Sequence, residues 1–135
     1  MSYPIKSLEG IEPDAVAMLK SAGIRTTGKL LEAAKTPKGR KILAAKVGLD
    51  AKRLLHWANA ADRMRVAGLG KEYAELLRAA GVDTVRELRY RNPAHLAQAL
   101  ADANKKRKLV RLLPSEKAVG RWIENARKLP LKISY

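Results

Sequence analysis

Apolar positions recur at the three- and four-residue spacing of a helix face: Leu54, Trp57, Ala58 and Ala61 in one segment, Tyr73, Leu76, Leu77 and Ala80 in a second, Val119, Trp122, Ile123 and Ala126 in a third. Between turn signals no run alternates apolar and polar residues, as a half-buried strand would. The pattern predicts an all-α fold with about four short helices in each half and no sheet. Stop and start signals agree with it. Gly23 before Ile24, and Gly81 before Val82, read as left-handed helix ends followed by an apolar residue. Thr36-Pro37 and Asn92-Pro93 read as N-caps with proline at the first helical position. Thr84-Val85-Arg86-Glu87 has the capping-box order, and Asp50 and Ser115 are candidate caps for the two tryptophan helices.

The two halves also repeat each other. At an offset of 58 positions, Gly10, Leu19, Ala22, Gly23, Thr26 and Leu30 fall on Gly68, Leu77, Ala80, Gly81, Thr84 and Leu88. Trp57 falls on Trp122 at an offset of 65, so the second copy is longer by seven residues, which we place around Ala101 to Arg111. The expected organisation is therefore a first repeat over residues 1–65 and a second over residues 66–135. Each half is too short for a generous core of its own, so the two are expected to pack as one unit.

Charge narrows the class of partner. The 135 residues hold 28 Lys and Arg against 13 Asp and Glu, a formal charge of +15. Residues 1–65 contribute +7 and residues 66–135 contribute +8, so the excess is spread and is not a basic tail. Such a surplus points to a polyanion, nucleic acid first. There is no cysteine, which excludes disulfides and thiolate metal sites. No signal-like apolar run opens the chain and no stretch is long enough to span a bilayer, so a cytoplasmic location without a membrane partner is expected.

One stretch concentrates the candidate chemistry: Val66-Ala67-Gly68-Leu69-Gly70-Lys71. A nucleotide-phosphate loop would need glycine at Arg65 and Ser or Thr at Glu72, and a dinucleotide fingerprint would need glycine at Tyr73 after a strand. Both fail, and Asp62 to Val66 reads as helix. The remaining reading is a tight turn between helices. In it the amides of Gly70, Lys71 and Glu72 open the next helix and suit a phosphate oxygen, with Lys71 adding charge.

With Val66, Gly68, Leu69, Gly70, Ala74, Leu77 and Gly81 in these places, the segment resembles the helix-hairpin-helix proteins. The resemblance implies two hairpins paired into a compact unit that grips the sugar-phosphate backbone of duplex DNA with little base reading. Over nearly its whole length, including Arg91-Asn92-Pro93, Leu112-Leu113-Pro114-Ser115 and Trp122-Ile123, the chain also resembles a bacterial helix-hairpin-helix family known only as a domain of unknown function. The copies are unequal. In Gly10-Ile11-Glu12 a carboxylate replaces the second glycine and would repel phosphate, so that hairpin can be structural alone. The Lys46 to Lys52 stretch keeps Gly48 and two lysines but starts its helix with Asp50, which makes Gly48, Lys46 and Lys52 secondary candidates.

Lys105, Lys106, Arg107, Lys108 and Arg111 put five basic side chains into seven positions, a second candidate phosphate contact. Arg65 and Arg63 before the turn, and Arg86, Arg89 and Arg91 after it, are candidates to flank the same surface. Two Trp, four Tyr and no Phe argue against stacking platforms for single strands, and Trp57 and Trp122 fit core positions. His56 and His95 have no carboxylate at ligand spacing, so no metal is expected. Some helix-hairpin-helix proteins are DNA glycosylases with an aspartate downstream of the hairpin lysine. Here Val85 to Asn92 offers only Glu87. The expectation is a non-enzymatic, cofactor-independent protein that binds duplex DNA, or RNA, without regard to sequence. The alternative is an interaction module for an acidic protein, or an accessory subunit of a DNA-processing or ribonucleoprotein complex.

Overall fold

The computed structural model describes residues 2–135 and is all-helical, with eight α-helices and no strand among the described residues. It divides into two compact units. The first ends at Asp62 and regains Lys132–Tyr135, while the second is Arg63–Leu131.

In the first unit a single 3-10 turn, Ile5–Ser7, precedes α1 (Pro13–Ser21), α2 (Thr27–Ala34), α3 (Pro37–Val47) and α4 (Ala51–Met64). The last helix stops at Met64, short of the Val66 end read from the sequence. An isolated antiparallel bridge pairs Pro4 with Thr26, and around it Ile5 N–H donates to the Arg25 carbonyl at 3.0 Å and Thr27 N–H to Tyr3 at 2.8 Å. These bonds seat Ile5 in a core with Leu19, Leu30, Leu54 and Trp57. The chain's final residues complete this unit. The buried Arg40 donates to the Ala34 carbonyl at 2.9 Å and to Ser134 at 2.8 Å, and the Tyr135 hydroxyl reaches the Asn59 side chain at 2.8 Å. Arg40 thereby joins the end of α2 to a segment ninety-four positions away.

The second unit holds α5 (Gly70–Ala79), α6 (Val85–Arg89), α7 (Pro93–Arg107) and α8 (Glu116–Lys128). Helix α7 packs on both α5 and α8, and α6 on α8. Between them lie Val66, Leu69, Leu76, Leu77, Leu88, Leu96, Leu100, Val119, Trp122 and Ile123, all buried. Burying one such side chain stabilises a fold by roughly 1.5 to 3 kcal/mol, so the apolar stripe decides which face of each helix turns inward.

Local chemistry sets the helix ends. In both α1 and α5 the first residue past the left-handed glycine bonds back five residues, Ile24 to Leu19 and Val82 to Leu77, each at 2.9 Å. Gly23 (φ +83°) and Gly81 (φ +95°) hold the backbone conformation this ending requires. At the N-termini Thr26, Thr36, Asn92 and Ser115 each accept from an amide of the first turn, and Thr84 and Glu87 form a complete capping box. Asp50 does the same for α4, accepting from Lys52 N–H at 2.8 Å. No described helix is long and apolar enough to cross a membrane.

Candidate functional site

Two helices start without a side-chain cap, and each follows a glycine turn: α1 after Gly10-Ile11-Glu12 and α5 after Gly68-Leu69-Gly70. Elsewhere among the described α-helices a hydroxyl, carboxamide or carboxylate oxygen accepts from one amide of the first turn, whereas at these two ends no side chain does.

The second turn is built from its apolar residues outward. Val66 and Leu69, both about 2% exposed, drop into the core and fix the loop from below. Leu69 N–H closes onto the Val66 carbonyl at 3.1 Å. To pass between these anchors and enter α5 the chain takes φ +83° at Gly68 and +73° at Gly70, a region that costs other residues roughly 1 to 2 kcal/mol. A Cβ on Gly70 would meet nothing within 4 Å, so the demand for glycine there is conformational. From α8, Trp122 Nε1 donates to the Gly68 carbonyl at 3.1 Å and Asn125 Nδ2 to Ala67 at 2.9 Å. The turn's carbonyls are thus occupied from within the fold, while Lys71 and Glu72 in the first turn of α5 stay exposed. A helix N-terminus carries about half a positive charge, which Lys71 reinforces and the Glu72 carboxylate partly offsets.

The Gly10 turn is disposed differently. Glu12 stands where Gly70 stands in the second, and its carboxylate is paired with Arg53 of α4. Pro13 opens α1 and removes one of the amides an anion would need. At the α4 start the Asp50 carboxylate holds the Lys52 amide, so the stretch bearing Lys46, Gly48 and Lys52 has its own anion in place. Gly48 closes α3 in the left-handed region (φ +76°) and Lys46 sits in the last turn, where a cation complements the helix dipole.

Lys105, Lys106 and Arg107 form the last turn of α7, and Lys108 caps it at φ +49°, the one described non-glycine residue with positive φ. Helix α7 runs 15 residues against 11 for α3, and the link to the next helix is also longer, so the added length is shared between helix and loop. Asn104 pins the loop by donating to the Val110 carbonyl and accepting from its amide, both at 3.0 Å. Tyr73 donates its hydroxyl to the Leu112 carbonyl at 2.8 Å. These bonds bring the loop to the first turn of α5. A groove of about 610 Å³ is lined by Glu72 and Tyr73 together with Lys108, Val110 and Arg111. Lys108 and Arg111 of the basic cluster therefore face Glu72 and Tyr73, which directly follow Lys71 in the first turn of α5, across one groove.

The flanking arginines divide. Arg63 is no part of a surface: it is 1% exposed and donates to the Ala74 carbonyl at 3.1 Å and to the Asp83 carbonyl and carboxylate at 2.6 and 2.9 Å. Burial pushes its guanidinium below the usual value and Asp83 pulls it back. Arg89 donates to Ala126 at 3.0 Å and to Leu129, closing the end of α8, and Arg65 donates to Pro130 at 2.7 Å. Arg86 is exposed and Arg91 half-buried. What spacing alone could not separate, these carbonyl partners do in part: Arg63 and Arg89 are framework while the Arg65 bond is exposed, and one hint lay in the 58-residue register, where Arg63 falls on the fully buried Ile5. Asn125 and Arg121, which sequence reading did not single out, also lie beside the turn.

An all-helical chain with a stitched glycine turn beside a basic groove is the class of protein that fold and site define. The chain belongs to the family described as a domain of unknown function (DUF4332), whose sequence profile matches residues 9–129. No curated protein and no solved structure matches it.

Proposed function

We propose that the second unit binds nucleic-acid backbone, duplex DNA first, through the amides at the start of α5, in the manner implied by the helix-hairpin-helix resemblance. The observation that carries the reading is the α5 N-terminus: two positive-φ glycines, no side-chain cap, and the exposed Lys71. Lys108 and Arg111 at the adjoining groove supply the charge that offsets Glu72. The net charge of +15 gives the long-range attraction, and nothing in the turn offers a base-reading side chain in a fixed place.

Titration of labelled duplexes of unrelated sequence at rising salt tests this. Affinity of about micromolar order at low salt, alike for every sequence and falling steeply with salt, is expected. Lys71→Glu should weaken it by roughly ten-fold, since it reverses the charge nearest the amides. Duplex RNA in the same series compares the two polymers. Failure to bind any duplex at low salt would overturn the proposal, and indifference to Lys71→Glu would remove the site from the α5 turn.

A further inference from the structure

Beside the glycine turn, on the other side of Tyr73 and Leu112 from the basic groove, lies a second depression of about 410 Å³. Its floor and walls come from Ala67, Leu112, Leu113, Pro114, Ala118 and the ring of Trp122, with Arg121 at its edge. Leu112 is 76% exposed and Leu113 43%, adjacent leucines on a loop that the Asn104 and Tyr73 hydrogen bonds hold in place. Two leucines facing water on a pinned loop are not a folding requirement, and a concave apolar surface with few polar groups is how proteins seat an anchor side chain. Around it the charge is one-sided. Arg121 lines it, and the adjoining groove that shares Tyr73 and Leu112 with it adds Lys108 and Arg111, three cations against the one carboxylate of Glu72.

We infer that this groove docks an acidic peptide segment of a partner protein, its apolar anchor seated on Leu112, Leu113 and Ala118 and its carboxylates meeting the basic rim. Charge complementarity selects that occupant. A second copy of this chain would bring another +15 and repel, and a nucleic-acid backbone has no apolar group to bury. The apolar seat is distinct from the amides of α5, while Lys108 and Arg111 border the groove that adjoins both, so a partner and a duplex share only that part of the rim.

Fluorescence anisotropy with a short fluorescein-labelled peptide of aspartate and glutamate around a central leucine pair, against one with serines in place of the leucines, provides the test. The leucine peptide is expected to bind at least about ten-fold more tightly than the serine peptide, the gain of burying one anchor. Leu112→Ser, at an exposed position, and Ala118→Gln, which fills the groove, should each remove most of that difference, with circular dichroism confirming that the helices persist. Equal binding of the two peptides, no binding of either, or a preference that survives both substitutions would overturn the inference. Duplex affinity should stay unchanged in Ala118→Gln, a position that lines this depression and not the basic groove, so failure here is distinguishable from failure of the nucleic-acid reading.

Discussion

Both units enter a helix through a glycine turn with an apolar residue at its centre, and both tie that turn to the tryptophan helix, but with opposite wiring. In the first, Arg53 reaches from α4 to the Glu12 carboxylate while its guanidinium lies 4.8 Å from the Trp57 ring. In the second, Trp122 and Asn125 reach from α8 to the backbone carbonyls of Gly68 and Ala67. The first arrangement places a carboxylate at the helix start and holds it with a cation, so its electrostatics close on themselves. The second satisfies the turn from behind and leaves the helix start to Lys71. Similar backbone turns can therefore be a closed joint or an open one, depending on which atoms the neighbouring helix takes.

The largest difference sits just before each turn. In the 58-residue register, the fully buried Ile5 stands opposite Arg63, which is 1% exposed. Ile5 stabilises by apolar burial alone, whereas Arg63 gathers the Ala74 carbonyl, the Asp83 carbonyl and one Asp83 carboxylate oxygen around a buried guanidinium. Arg63→Met keeps the bulk but strips three acceptors of their donor. It should lower unfolding free energy by about 3 kcal/mol in urea denaturation, while Ile5→Val should lower it by about 1 kcal/mol. A loss below about 1 kcal/mol for Arg63→Met would mean that the acceptors find water instead and the contrast with Ile5 is one of chemistry without energetic weight.

This pair also marks what could be read in advance. Helix ends were legible because their signals are local: Thr36, Thr84, Asn92 and Ser115 cap within three residues, and Gly23 and Gly81 terminate through bonds of five or fewer. The all-helical class followed from face periodicity, which the buried Leu54, Trp57, Leu76, Leu77 and Trp122 bear out. Arginine fates were not legible. Arg40, Arg63 and Arg89 are consumed by carbonyls up to ninety-four positions away, and no spacing rule distinguishes such a clamp from a surface cation. The turn at Gly68 was visible through its glycines, but its dependence on Trp122 and Asn125, fifty-four and fifty-eight positions on, required the packed chain.

The stitches themselves should differ in strength. Trp122→Phe removes only the Nε1 donor from a ring that is 4% exposed, leaving the Gly68 carbonyl without its partner. About 1 to 2 kcal/mol should be lost, together with affinity for duplex if the turn must be rigid to present its amides. Arg53→Ala breaks an ion pair whose partners are 43% and 58% exposed, along with the contact over Trp57. Solvent screening holds its effect to about 0.5 kcal/mol, and duplex binding should barely change. Far-UV circular dichroism in urea compares the two. Equal losses would show that the wiring differs in geometry but not in strength.

The smallest effect is the most direct probe of open against closed. Replacing Glu12→Gly and Pro13→Lys together gives the first turn the residues of the second, frees an amide, and makes the net charge two units more positive than +15. Duplex affinity at low salt should rise only about two- to three-fold, because the link between α3 and α4, Gly48-Leu49-Asp50, holds no cation comparable to Lys108 and Arg111. Glu12→Lys separates the causes, since it raises the net charge by the same two units but keeps the proline. If the single substitution raises affinity as much as the double one, the gain comes from net charge. If the double variant gains clearly more, the glycine and the recovered amide are what make such a turn a phosphate site, and Glu12 with Pro13 is what closes the first.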